Sequence, residues 1–183
     1  VLSTSISGAI TPVTQMLSVY GSVAKKNGLD SANVTVTGAT ASNINDLAAL
    51  TTGTITASIS DSLADFITGF TDNASNDILT TSSEVHNLTL TVTDTQVNAG
   101  QLKLLNASVS GEIKLDAATS FVGTAADILE ALADTTGVTG LDGNENFIVT
   151  DAPSVADINS LLNKTSGTIT STITADMASL NQL

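Results

Sequence analysis

The chain has 183 residues, 42% of them apolar, with 18 Asp and Glu against five lysines and no arginine, a net charge of −13. That balance excludes a basic face able to neutralise phosphates, and with it nucleic-acid binding and attachment to anionic membranes. The absence of cysteine removes disulfides, thiolate metal sites and Cys nucleophiles, and no apolar run reaches the ~20 residues of a membrane span.

Two kinds of unit alternate along the chain. A long unit over 1–32 opens on the apolar anchor Leu2, continues SISGAI from Ser5, and offers a helix start at Thr11 before Pro12. A short unit over 33–53 begins NVTVT at Asn33, runs into Ile44, Leu47 and Leu50 at helical spacing, and closes on TTG at Gly53. The next long unit, 54–86, has Ile55 four residues before Ile59, SISDSL from Ser58, and a helix start at Ser62. Its Leu63, Phe66, Ile67 and Phe70 form one apolar stripe. The short unit 87–111 begins NLTLT at Asn87 and closes on VSG at Gly111. In the long unit 112–145, Ile113 precedes Phe121 by eight residues, a four-residue insertion, before Thr124 starts a helix bearing Ile128, Leu129 and Leu132. The short unit 146–167 begins NFIVT, starts a helix at Pro153–Ser154 with Val155, Ile158, Leu161 and Leu162, and closes on TSG at Gly167. A last long unit, 168–183, repeats the anchor at Ile169 and TITADM from Thr172, then stops inside the pattern. The chain therefore reads as a single repeat array and a piece of a longer protein.

Each unit predicts a strand followed by a short helix. Leu88, Leu90 and Val92 alternate with Thr89, Thr91 and Thr93, and Val34 and Val36 with Thr35 and Thr37. This period of two places the aliphatic set inside and the threonines outside. Ser and Thr at the helix starts are N-cap residues, and Gly53 and Gly167 read as glycines just past a helix. Having almost no aromatic residues, the core is left to Ala, Val, Ile and Leu, which suits thin regular layers. One such unit buries too little apolar surface to offset the entropy of ordering it. Neighbouring units must supply the rest. Strand–helix–strand order implies parallel pairing with right-handed crossovers. The expected fold is α/β, a repeat solenoid of parallel strands alternating with short helices; whether the strands share one sheet or form two is not fixed by the pattern.

The passage from Gly123 to Thr174, with the phrases Gly140–Asp151 and Asp157–Gly167 inside it and Ser120–Ile128 overlapping its start, resembles tandem repeats in very large surface-associated proteins of marine cyanobacteria and other bacteria. The pattern covers nearly the whole chain, more loosely in residues 1–32. The resemblance implies an extracellular or cell-surface location and a scaffolding or filament-forming role, without an enzymatic centre in the repeats.

Candidate sites are few. His86 is the one histidine; it reads as a solvated loop residue without the neighbours a catalytic triad needs. Asp61 and Asp65, Asp127 and Glu130, and Asp151 and Asp157 sit at helix starts, where carboxylates meet the positive end of the helix. The loop Gly140–Asn146 concentrates side-chain oxygens around glycines, as hard-cation loops do. Asp142, Asn144 and Glu145 are its candidate calcium ligands, against the reading of an ordinary turn with Asx hydrogen bonds. No other metal, cofactor or catalytic residue is indicated. Threonine pairs at 35 and 37, 54 and 56, 89 to 93, and 168 and 170 could form a hydroxyl array that orders water, but Glu112, Lys114 and Ile148 interrupt it, and ordinary solvent-facing strand threonine is the favoured reading. Asn33, Asn87, Asn106 and Asn163 each begin Asn-Xaa-Ser/Thr, which permits glycosylation.

The leading expectation is a structural or adhesive segment of an extracellular surface or filament protein, without catalysis, that associates with itself or with neighbouring repeats. The rivals are a calcium- or glycan-binding module on the same scaffold, with surface glycans as partner, and a polysaccharide-acting enzyme. The last is disfavoured by the missing arginine, the scarce aromatics and the single histidine.

Overall fold

The structure is a computed structural model describing residues 5–24, 31–71, 78–79, 86–133 and 137–183. Ten strands and seven helices are assigned among them. The strands are β1 (Ser5–Ala9), β2 (Asn33–Thr37), β3 (Ile55–Asp61), β4 (Asn87–Val92), β5 (Gln96–Asn98), β6 (Ile113–Lys114), β7 (Ser120–Gly123), β8 (Val138–Thr139), β9 (Asn146–Val149) and β10 (Ile169–Thr170). The helices are α1 (Ile10–Ala24), α2 (Ala41–Ala48), α3 (Leu63–Gly69), α4 (Ala99–Ser108), α5 (Ala125–Ala131), α6 (Val155–Leu162) and α7 (Met177–Leu180).

The class is α/β, and every strand pair is parallel. Six strands form one open sheet in the order β1-β2-β3-β4-β6-β8, and four form a second in the order β10-β9-β7-β5. Within each sheet, spatial order follows chain order, so each strand lies between its predecessor and its successor. The first four strands share one sheet. Thereafter the chain alternates between the sheets, β5, β7 and β9 falling in the second and β6 and β8 in the first, before β10 joins β9 in the second. The four-residue insertion falls between Ile113 and Phe121, where Leu115–Thr119 divides β6 in the first sheet from β7 in the second.

The strands carry the expected alternation. Val34 and Val36, Ile55, Ala57 and Ile59, and Leu88, Leu90 and Val92 are buried, while Asn33, Thr35, Thr37, Ser58 and Ser60 are exposed. Helices pack in chain order, α2 on α3, α3 on α4, α4 on α5 and α5 on α6. Their inward residues, Ile44, Leu47, Leu63, Phe66, Leu102, Leu105, Ile128, Ile158 and Leu161 among them, join the strand residues in one continuous core. The four phenylalanines are fully buried in it, and Phe121 meets Phe147 edge to face at 6.0 Å between adjacent strands of the second sheet.

Helix starts follow the sequence. Ser62, Thr124 and Ser154 cap α3, α5 and α6, each hydroxyl accepting the amide three residues on, at 3.1, 3.1 and 3.2 Å. Thr40 does the same for α2, and its amide is returned to the Asn43 side chain, a capping box. Two expectations are corrected. Helix α1 begins at Ile10 and runs fifteen residues, so Thr11 lies inside it and not at its cap. Gly53 and Gly167 are not helix stops either. The C-caps are Ala49 and Asn163, both right-handed, and among the described residues the glycines with positive φ are Gly38, Gly140 and Gly143. The anchor Leu2 lies outside the described residues.

Candidate functional site

The loop from Gly140 to Asn146 is shaped by two glycines with φ of +85° and +79°, a region closed to most residues with a Cβ. Gly140 also lies against Asp116, whose amide nitrogen would be 2.8 Å from an added Cβ. Within the loop the Asp142 amide donates to Glu145 Oε1 at 2.8 Å, and the Asn144 amide to Asp142 Oδ1 at 3.1 Å. Asp142 and Asn144 are exposed; Glu145 is buried. One oxygen of each carboxylate is thus turned onto the loop's own backbone, the Asx geometry that orders a turn. From the next unit, Ser166 gives its amide and hydroxyl to Gly143 O at 2.8 and 3.1 Å. Among the described residues no group of three or more His, Asp and Glu side chains is gathered. A shallow cleft of about 450 Å³ opens beside the loop, lined by Val138, Leu141, Glu145 and Lys164 among others.

The recurrent geometry lies where each short unit closes onto the strand that began it. Thr51 donates its hydroxyl to Ala32 O at 2.8 Å and accepts the Gly53 amide at 3.0 Å. Thr165 donates to Glu145 O at 2.7 Å and accepts the Gly167 amide at 2.8 Å. Asn33 Oδ1 then accepts the Thr54 amide, and Asn146 Oδ1 the Thr168 amide, both at 2.9 Å. Threonine, glycine and asparagine act as one clamp that fixes where the following strand begins. Glycine is required because a Cβ on Gly53 would lie 2.2 Å from Ala32 O, and on Gly167 2.6 Å from Glu145 O.

The middle copy keeps the glycine and changes the rest. A Cβ on Gly111 would lie 1.7 Å from Leu88 O. Val109 stands where the other copies have threonine, and Ser110 donates instead to His86 O at 2.6 Å. The ladder shows why. Val34, Leu90 and Phe147 each donate to the residue just after the glycine, namely Thr54, Glu112 and Thr168. The structural equivalent of Asn33 and Asn146 is therefore Thr89, two residues beyond Asn87. A shift of two keeps every side chain on its own face, so the core is undisturbed. The same two residues are visible as spacing: Asn87 precedes Asp94 by seven, whereas Asn146 precedes Asp151 by five.

His86 is buried, and its Nδ1 accepts the Ile55 amide at 3.3 Å. This corrects the expectation of a solvated loop histidine: the two extra residues carry position 86 alongside Ile55 at the start of β3. The acidic pairs divide by role. Asp65, Asp127 and Asp157 sit at the third position of their own helices, each accepting from its cap hydroxyl at 2.6, 2.9 and 2.7 Å. Asp151 does not cap its own helix. Its Oδ1 accepts the Ala125 amide at 3.0 Å, at the start of α5 in the preceding unit. Asp94 does the same for Leu63 and α3, at 2.6 Å. Both follow Val-Thr, and in both the threonine amide bonds the preceding strand's last carbonyl at 2.9 Å, Thr93 to Asp61 and Thr150 to Gly123. Sequence reading missed Asp94; the recurring Val-Thr-Asp at 92–94 and 149–151 was its signal.

Lys103 on α4 reaches across to α5, with Nζ 2.5 Å from Asp127 Oδ1 and 3.1 Å from Glu130 Oε2. The hydrogen bond to Asp127, then that to Glu130, raises the Lys103 pKa, and the same bond, with that from Thr124, lowers that of Asp127. On the outward strand face Thr35 lies beside Thr56, Ser58 beside Thr89, and Ser60 beside Thr91. The interruption at Lys114 is an ion pair with Glu112 at 3.6 Å, and Glu112 also accepts the Thr139 hydroxyl at 2.9 Å. Of the Asn-Xaa-Ser/Thr asparagines, Asn33 spends its amide oxygen on the clamp, Asn106 is half-buried on α4, and Asn163 is the exposed C-cap of α6.

Among the described residues no helix is long and apolar enough to cross a membrane. Compared with known protein families, curated proteins and solved structures, the chain matches none. Fold and contacts define its class: an α/β protein of parallel sheets whose successive strand–helix units are tied laterally by clamps and caps.

Proposed function

We propose that this chain is a structural or adhesive segment of an extracellular surface or filament protein, built as a solenoid of repeated strand–helix units and without catalysis. One observation carries the reading: the Thr-Xaa-Gly clamp and the Val-Thr-Asp cap each join one unit to the next, and each recurs with the same geometry in two of the three short units. Contacts between neighbours, repeated down a chain, make a body whose length can grow without a new design at each step. The polar outward strand face and the acidic charge keep such a body soluble. The resemblance of Gly123–Thr174 to surface-protein repeats points the same way.

Negative-stain imaging of native material, with antibody labelling of the cells that make it, tests this. The proposal expects label at the cell surface or along fibres. Label confined to the cell interior on discrete particles would contradict it.

A further inference from the structure

The residue just before the clamp asparagine separates the short unit 146–167 from the other two. Thr51 donates to Ala32 O and Thr165 to Glu145 O, and in the shifted middle copy Gly111 closes against Leu88 O. Ala32, Leu88 and Glu145 therefore hold one place in three copies. All three are buried, at 1%, 0% and 3% exposure. Two copies fill the place with carbon; the third fills it with a carboxylate. A second departure accompanies the first. The residue before the clamp threonine is Leu50 in the first copy, packed against the core, and Lys164 in the third, exposed.

Both changed positions line the cleft of about 450 Å³, together with Leu132, Val138 and Leu141. A buried carboxylate needs partners. Glu145 Oε1 has one, the Asp142 amide; Oε2 has none among the described residues. Lys164 makes one long contact of 3.4 Å to Leu132 O, at the end of α5, and keeps two donors. The two charges do not pair with each other: the ion pairs among the described residues join Lys103 to Asp127 and Glu130, and Lys114 to Glu112. An acceptor, a cation and three aliphatic side chains thus share a cleft of the size that holds small molecules. An anion alone would leave Glu145 unpaired, and a cation alone would leave Lys164 so.

We propose that the cleft binds a free amino acid with an aliphatic side chain. Its ammonium meets Glu145 Oε2, its carboxylate meets Lys164 Nζ, and its alkyl group lies on Leu132, Val138 and Leu141. This goes beyond the structural role proposed above and does not depend on it.

Amide chemical-shift titrations of the nitrogen-labelled chain test this with three probes: leucine, isocaproate, which lacks the amine, and isoamylamine, which lacks the carboxylate. Leucine should shift the amides of Val138, Leu141 and Glu145 to saturation, and each single-charge probe should bind at least about tenfold more weakly. Two variants assign the charges. Glu145→Gln keeps an oxygen for the Asp142 amide, and Lys164 is exposed, so both should fold, as unchanged circular dichroism would show. Glu145→Gln should weaken leucine and isoamylamine about tenfold and leave isocaproate unchanged; Lys164→Met should weaken leucine and isocaproate and leave isoamylamine unchanged. Should Glu145→Gln unfold, Lys164→Met and the three probes on the wild type decide. Leucine that shifts none of these amides at about 10 mM overturns the proposal. So does equal binding of the three probes, or leucine binding that a folded variant leaves unweakened. None of these results touches the thermal melts, on which the repeat reading stands separately.

Discussion

At Gly53, Gly111 and Gly167 the neighbouring backbone leaves no room for a side chain. Gly111 is the tightest, with Leu88 O 1.7 Å from where a Cβ would stand. Gly111→Ala must push two strands apart and should cost about 2–4 kcal/mol. Gly38 is the control: its φ is +68° but nothing lies within 4 Å of an added Cβ, so Gly38→Ala should cost only the left-handed backbone strain, about 1 kcal/mol. Urea midpoints of the two variants check the order; equal losses would refute the close-approach account. The recurrence of these glycines is plain in the sequence, but their purpose is not. A glycine after a helical pattern resembles a helix stop, and the carbonyl it must clear belongs to a residue some twenty positions earlier. His86 was misread for the same reason, since its burial depends on the two-residue shift of β4 against its neighbours.

Helices in this chain are short, and their ends are secured partly from outside. Asp94 and Asp151 accept the first amides of α3 and α5 from strands that come later in the chain. Asp151→Ala should destabilise by about 1 kcal/mol, as loss of a helix cap does, and should loosen α5 rather than α6. Amide hydrogen exchange distinguishes the two: faster exchange at the start of α5 supports the lateral cap, and faster exchange confined to α6 contradicts it. Lys103 ties α4 to α5 in a pH-dependent way. The lowered Asp127 pKa means that its share of stability is present above the ordinary value of 3.8 and lost as pH falls through the lowered one. The raised Lys103 pKa means that its share is present below 10.5 and lost as pH rises past the raised value. Lys103→Met should therefore lower the urea midpoint near neutral pH and lose its effect in strong acid. The change should be small, because both groups meet solvent and salt screens them. The caps at Ser62, Thr124 and Ser154 were legible from residue type and position. The lateral caps were not, because they pair an aspartate with a helix of the preceding unit, some 26 to 31 residues earlier.

Across the whole molecule, spatial order follows chain order in both sheets, and stabilising contacts run from each unit to the next. Alternation of Val, Leu and Ile with Thr was enough to read an aliphatic interior, because the pleat dictates a period of two, and strand–helix–strand order was enough to read parallel pairing. The division into two sheets was not legible: the chain first crosses from one sheet to the other between β4 and β5, at 93–95, and again at 115–119, and the alternation of apolar residues and threonine is the same whichever sheet a strand joins. The loop at Asp142, Asn144 and Glu145 showed its oxygens in sequence but not their direction, which the two left-handed glycines set.

The claim beneath all of this is that no strand–helix pair stands without its neighbours. Thermal unfolding of residues 54–111, one long and one short unit, against the full chain measures it directly. The account predicts a cooperative transition for the full chain and none for the fragment; a sharp melt of the fragment near the full-chain temperature would contradict it.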